Sequence, residues 1–512
     1  MTYPTAVGRT ALPGVRLRLA RLAHDLEQGR SCLLLLPARL VDGPGSPSED
    51  LLDEVLHELD DYVLLPPAGT GDAAPPTADA WLPSQRAAPD TTRWSGLVPV
   101  LDYDDGLGDL FGSAPPTAPE PGAPPRPGSA PPAPPLQGGP GRQAGGPSEA
   151  EALAGLLERL AKEVNLQGGT ADGDDGPGGD EEGDVLTRLV RCRNGEPETR
   201  PVVVRGWRES APSATGHLLR RMVAVTKEAG LPPGRGPRAL VVATTDDLPP
   251  GLPGQLVRED VAVHWWWGVT GRLDTATVVA LSPPPLHSPL TRRQLYEAVA
   301  QATITEICGP FLDIASALAA RWADGRPETL PDALREVIEA GPVPEAFLLS
   351  DQTLARGPGA HPDETLLPAW NAAAVESWDG RLRRHPAHFL DNEHAMASQV
   401  WLAQNHVLLP LLDASRERFA GVVRANARIP LQRLAEQYGP RRDLDEGGVP
   451  PSTLIEAMEV GAMWGAFRDG AIALTQRDRR HLRIVRDARN RLAHRTPLDG
   501  EGLQTLIKEL CR

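Results

Sequence analysis

Lysine is nearly missing from this sequence, with Lys162, Lys227 and Lys508 supplying all of it although Lys and Arg together number 52 in 512 residues. None of the three follows a glycine or precedes Ser or Thr, so the phosphate-reaching lysine of a Walker loop is absent and P-loop ATP hydrolysis is not expected. Cysteine is scarce as well. Cys32, Cys192, Cys308 and Cys511 show no CxxC or metal-ligand spacing, which speaks against a zinc site and fits a reducing compartment. Long apolar runs are lacking, since stretches such as Cys32 to Leu36 fall far short of the ~20 residues a bilayer requires. Met1 to Gly14 also has no basic start leading into an apolar stretch, so the expected location is cytoplasmic, without a membrane partner. A net positive charge is lacking too. The formal charge of −16 argues against a nucleic-acid coat or a membrane-surface binder, and leaves open a local basic patch. There is no GxSxG elbow, no HExxH and no ordered DxDxDG calcium loop, so neither metal nor cofactor is expected.

What is abundant is proline and glycine, 54 and 51 residues, and their distribution divides the chain. Residues 1–112 read as an α/β segment, with Val15 to Leu26 at helical spacing, a buried strand over Ser31 to Leu36 and a helix over Ser48 to Leu59. Residues 113–146, which include Ala123-Pro124-Pro125-Arg126-Pro127, cannot bury enough apolar surface to offset their ordering entropy and read as a disordered linker. Residues 147–290 read as an α/β core interrupted by an acidic Gly/Asp/Glu loop at 167–184. Within that core Thr187 to Arg193, Arg200 to Arg205 and Ala239 to Ala243 read as strands, and Gly216 to Ala229 as a helix. Val261 to Val269 and Thr275 to Leu281 read as apolar runs around a hairpin-like break at Thr270-Gly271-Arg272. His264-Trp265-Trp266-Trp267 reads as part of a strand buried on both faces rather than a base-stacking platform.

From Thr291 the period is helical. Residues 291–390 form a helical region with irregular stretches, and 391–512 a helical bundle. The bundle's segments are Glu393 to Arg424 interrupted by Pro410, Thr453 to Leu474 opened by a Thr453/Glu456 capping box, Asp478 to Arg495, and Leu503 to Leu510. The expected fold class is therefore α/β or α+β through the N-terminal and central region, followed by an all-α C-terminal bundle, with Pro/Gly-rich linkers.

Arg-x-x-x-x-His occurs at Arg356/His361, Arg383/His388 and Arg489/His494. The first encloses Gly357-Pro358-Gly359 and the second Pro386, so only the third can lie within an undistorted helix. There Arg486, Asn490 and His494 recur every four residues and share a face, with Arg489 one position round. Arg477, Arg479, Arg480, Arg483, Arg486, Arg489, Arg491 and Arg495 outweigh Asp478 and Asp487, which makes this stretch the basic patch that the total charge conceals.

Arg489-Asn490-x-x-Ala493-His494 has the RN-x-x-AH form of the HEPN ribonuclease family, and the last quarter of the chain resembles its helical domain. The resemblance implies metal-independent RNA cleavage with Arg489, Asn490 and His494 as catalytic residues and Arg483, Arg486, Arg491 and Arg495 as RNA-binding residues. Histidine as a residue type can move the 2′-hydroxyl proton, and arginine can stabilise charge growing on phosphoryl oxygens. A homodimer through the C-terminal bundle is implied too. An α/β unit joined to such a domain resembles bacterial conflict or stress-response proteins. Without a Walker loop, the central region is expected to be a regulatory module similar to inactivated signalling NTPases, and a regulatory protein partner is a further expectation. The reading that stands beside this one is a non-catalytic scaffold whose bundle mediates dimerisation or docking.

Overall fold

Five consecutive apolar side chains in Cys32–Leu36 (β1), all buried, demand cover on both faces, and a parallel sheet flanked by helices supplies it. The computed structural model describes residues 11–42, 47–59, 61–68, 148–166, 184–191, 200–209, 211–232, 234–281, 290–322, 324–341, 358–440 and 450–511. The Gly96–Leu101 apolar stretch, the 113–146 linker and the acidic loop over 167–183 lie outside the described residues.

The α/β part runs α1 (Pro13–Glu27), β1, α2 (Arg39–Asp42), α3 (Pro47–His57), β2 (Val63–Leu64), α4 (Glu149–Leu166), α5 (Asp184–Arg191), β3 (Val202–Arg205), α6 (Ser213–Glu228), β4 (Ala239–Thr244), α7 (Leu252–Arg258), β5 (Ala262–Trp265) and α8 (Arg272–Ala280). The strands form one sheet in the order β2-β3-β4-β1-β5, every pair parallel. Alternation along β1 sorts the cover. Leu34 and Leu36 join Leu19, Leu22, Leu52 and Val55 of α1 and α3 on one face. Leu33 and Leu35 join Leu156, Leu189, Leu219 and Leu256 of α4 to α7 on the other.

Three sequence expectations fail in this part. Thr187 lies within α5, where Val185, Leu186 and Leu189 are buried at helical spacing. Thr275–Leu281 falls almost wholly within helix α8 rather than in a second strand. The Asp274 carboxylate accepts the Gly271 N–H at 2.7 Å and the Gly14 N–H at 3.0 Å. That cap overrides the strand preference of the Thr/Val run, because Thr275, Val278 and Val279 then fall on one buried stripe. The expected strand over Val261–Val269 is shorter, ending at Trp265, and it alternates buried and half-buried residues rather than being buried on both faces; Trp266 and Trp267 are buried beyond its end, and Trp265 stacks on His361 with ring centroids 5.2 Å apart.

Beyond α8 come α9 (Leu290–Cys308), α10 (Leu312–Arg321), α11 (Leu330–Glu339), α12 (Leu367–Asn371), the antiparallel hairpin β6 (Val375–Trp378) and β7 (Arg381–Arg384), α13 (Glu393–Ala425), α14 (Leu431–Tyr438), α15 (Pro451–Glu456), α16 (Val460–Arg468), α17 (Gln476–Ala493) and α18 (Gly500–Leu510). Helix α13 passes through Pro410 without a break. Pro410 and His406 are both exposed, so the carbonyl that the proline leaves without a helix donor is on the solvent side. The expected helix over Thr453–Leu474 is instead two. The Arg416 guanidinium donates to the Glu456 carbonyl at 2.5 Å, the acceptor that a continued helix would give to the Val460 N–H, and the Glu456 side chain reaches Arg424 at 3.2 Å rather than forming a capping box. The C-terminal core gathers Leu408, Leu412, Val423, Met463, Val485, Leu492, Leu503 and Ile507, and it draws in Val299 of α9.

Candidate active site

Helix α17 begins at the Thr475 cap, whose hydroxyl accepts the Asp478 N–H, and buries Leu482, Val485, Ala488 and Leu492 against the bundle. Its opposite face is left to solvent. The helix closes as a Schellman motif, with the Thr496 N–H donating to Arg491 O at 2.9 Å and the Arg495 N–H to Leu492 O at 3.1 Å. His494 is thereby the capping residue, and Arg495 occupies the left-handed position at φ 56° where glycine is usual.

Asn490 and His494 are exposed and Arg489 is half-buried. Among the described residues, none of these three side chains has a hydrogen bond or ion pair. Arg489 and His494 are not side by side on the helix: five residues at about 100° each put about 140° between them. Arg489 therefore reaches the His494 side only along its own flexible stem.

The four arginines expected to bind RNA fare differently. Asp487 takes both Nε and Nη2 of Arg486, at 3.0 and 2.6 Å, and lies 3.7 Å from Arg483. Arg486 also stacks over Trp464 of α16, with its Cζ 4.5 Å from the ring centroid. Arg491 is tied into the following turn, donating to Pro497 O at 2.8 Å and to Asp499 at 3.0 Å. Arg495 lies over the ring of Trp401 at 5.7 Å. Sequence reasoning missed both tryptophans, because a tryptophan within an amphipathic helix gives no signal of what it will face. The other two Arg-x-x-x-x-His matches are elsewhere: Arg383 is on β7, His388 is in a 3-10 turn, and His361 lies under Trp265.

A second arrangement in the bundle has the order of a hydrolytic triad. Ser415 Oγ is 2.9 Å from His481 Nε2, and His481 Nδ1 is 3.4 Å from Glu509. Ser415 is 2% exposed in mid-helix, where neighbouring N–H groups are used by the helix and none forms an oxyanion hole. The group joins α13, α17 and α18 as a buried polar link.

The sheet offers the other place where chemistry is expected. The chain leaves β1 toward β2 and leaves β4 across β1 toward β5, so the carboxyl ends of these two neighbours frame the crevice where open α/β sheets bind ligands. Here the chain fills it. Leu366, Ala369, Trp370 and Val375 share the core of Leu34, Leu36 and Val242. Asn371 donates to Thr245 and Asp246 after β4, at 2.8 and 3.0 Å. Arg39, after β1, donates to Glu376 at 3.2 Å. The Glu376 carboxylate also accepts from Trp370 Nε1, Gly268 N and Ser377 N at 3.0 to 3.1 Å. Burial pushes its pKa up, while Arg39 and these donors pull it down. Among the described residues no group of three or more His, Cys, Asp or Glu side chains could hold a metal ion.

Compared with protein families, curated proteins and solved structures, the chain matches none. What the structure establishes is a mixed α/β chain with a parallel sheet and a helical C-terminal region. No helix among the described residues is long and apolar enough to cross a membrane.

Proposed function

We propose that the protein is a conflict or stress-response endoribonuclease of HEPN type that works without a metal, with the α/β part as its regulatory module. The observation that carries this reading is the exposed Asn490 and His494 with half-buried Arg489 at the end of α17, their side chains without partners among the described residues. A polynucleotide substrate needs such access, and a histidine serving only the bundle core would be sealed in apolar packing.

In the reaction the 2′-oxygen attacks phosphorus as its proton is taken up, and the bond to the 5′-oxygen breaks as that oxygen gains a proton. His494 transfers the proton, Arg489 stabilises the charge growing on the phosphoryl oxygens, and Asn490 orients the imidazole or the substrate. Arg483, Arg486 and Arg495 supply the attraction for the phosphate backbone, a role in which Asp487 weakens the first two. Arg491, held by Asp499 and Pro497, shapes the turn.

The regulatory reading of the α/β part rests on the filled crevice. With Trp370 and Glu376 seated where a nucleotide would go, and no Walker lysine after β1, the module acts by contact rather than by hydrolysis.

The test is cleavage of an RNA oligonucleotide in the presence of a chelator. His494→Ala should lose about 10²- to 10⁴-fold in rate, with the melting temperature retained. Equal rates would remove His494 from the mechanism. A wild-type protein that cleaves no RNA, and whose oligomeric state depends on residues 391–512, would favour the scaffold reading.

A further inference from the structure

The turn that carries the chain from α17 to α18 is gripped from outside by α13. Trp401 Nε1 donates to Leu492 O at 2.7 Å, a carbonyl that already accepts the Arg495 N–H. One turn further along α13, Gln404 makes both amide bonds to Leu498, donating to its carbonyl at 2.8 Å and accepting its N–H at 2.7 Å. Gln404 is fully buried. A glutamine there is costly unless every polar atom has a partner, and Leu498 partners both ends of the amide.

His494 stands between these two grips. Its backbone is the cap of α17, and the carbonyls on either side of the cap are the ones that fray when a helix end lacks partners. The residue after it, Arg495, is held in a left-handed conformation that an L side chain rarely adopts. The Trp401 ring is directly beneath that residue's guanidinium. The Schellman bonds of Thr496 and Arg495 and the Arg491 contacts to Pro497 and Asp499 hold that conformation from within the turn, and α13 adds a hold from outside it; strain of this kind gathers at functional sites.

We infer that Trp401 and Gln404 are positioning residues for His494. The inference rests on the nuclease reading for its kinetic consequence and on geometry alone for its structural one. Trp401 fixes the last turn of the helix before the imidazole and Gln404 fixes the strand of chain after it, so the ring leaves the surface in one direction. Both grips come from a single helix. The side chain of His494 can then stay free of protein partners and still be aimed, which is what a proton-transfer group open to substrate requires.

Two variants separate positioning from mere support. Trp401→Phe keeps an aromatic ring beneath Arg495 and deletes the N–H donor along with part of the indole's bulk, whose packing effect the melting temperature reads separately. Gln404→Met keeps the volume and deletes both bonds to Leu498, and it carries the same test should the first variant fail to fold. The readouts, on the full chain, are the imidazole resonances of His494 by NMR and the kcat and KM for an RNA oligonucleotide. The expected result is a shifted or broadened His494 signal in each folded variant, with kcat down about tenfold or more and KM within about twofold. Unchanged His494 signals and unchanged kcat in folded variants would overturn the inference and leave both residues as bundle supports. If the wild type cleaves no RNA, the nuclease reading fails by itself, and the His494 signals still decide whether the grip aims the ring.

Discussion

The crevice at the carboxyl ends of β1 and β4 and the exposed end of α17 both gather polar and charged groups, and they are built in opposite ways. In the crevice a buried carboxylate and a buried indole N–H meet a half-buried guanidinium, with four donors on Glu376 alone. On α17 the side chains of Asn490 and His494 stand in solvent without partners among the described residues. A buried, satisfied polar network holds a structure together and is expensive to disturb. An exposed, unsatisfied one adds little to stability and is free to act on something else. Under the proposed function the first region is structural and the second carries the chemistry, and each role predicts how its region responds to substitution.

The largest effect belongs to the crevice. Glu376→Ala would remove the buried partner of the partly exposed Arg39 and leave the N–H groups of Gly268, Ser377 and Trp370 without their carboxylate acceptor, a loss of about 2–4 kcal/mol. A urea midpoint measured near neutral pH checks it. Glu376→Gln, which retains an acceptor oxygen, should lose less. A loss below about 1 kcal/mol for the alanine variant would mean that the plug is dispensable and the crevice open to other occupants.

Acid tests the same region through His385, which lies beside Phe311 and near Arg39. Burial, with the Arg39 charge added, pushes its imidazole down from 6.5 to about 4. Nδ1 accepts the Ala387 N–H at 3.2 Å, an arrangement that suits a neutral ring. In the unfolded chain the ring takes its proton near the ordinary value. Between the two values the unfolded state therefore binds more protons, and stability rises with pH through that window and is lost as pH falls through it. The raised pKa of Glu376 acts with the opposite sign, adding stability on acidification. The histidine is isolated by difference: His385→Asn keeps an acceptor and should lose about 2–3 kcal/mol less than wild type between neutral pH and pH 4. Parallel pH profiles for the two proteins would show that His385 is not held neutral.

How much of this was legible in the sequence follows from the distance over which each feature is decided. β1 and β4 are apolar on both faces and declare themselves locally, as does the start of α3. The α8 segment does not, because its Thr/Val run favours a strand until Asp274, three residues past Gly271, caps a helix. The plug is invisible from sequence, since Arg39 and Glu376 are 337 positions apart and neither is unusual where it stands. The site divides the same way. Arg489, Asn490 and His494 are named by one short motif on one helix, whereas Trp401 and Gln404 contact that region across 91 and 94 positions. Gln404 left a faint trace, a polar side chain on the apolar stripe of α13. Arg491 carries the charge of a phosphate ligand, but its acceptors, Pro497 O and Asp499, belong to the turn beyond the helix, and a count of charge along α17 does not include them.

The smallest effects fall on α17, and their smallness is the point. Asn490→Ala and Arg489→Ala remove side chains that have no described partner, and alanine favours the helix more than asparagine does. Each should therefore shift the urea midpoint by less than about 0.5 kcal/mol in stability, while RNA cleavage falls by an order of magnitude or more, as expected for groups that act only on substrate. A destabilisation comparable to that of Glu376→Ala would place these side chains in the structural class of the crevice. The difference between the two regions would then vanish, and with it the reason for locating the chemistry at the end of this helix.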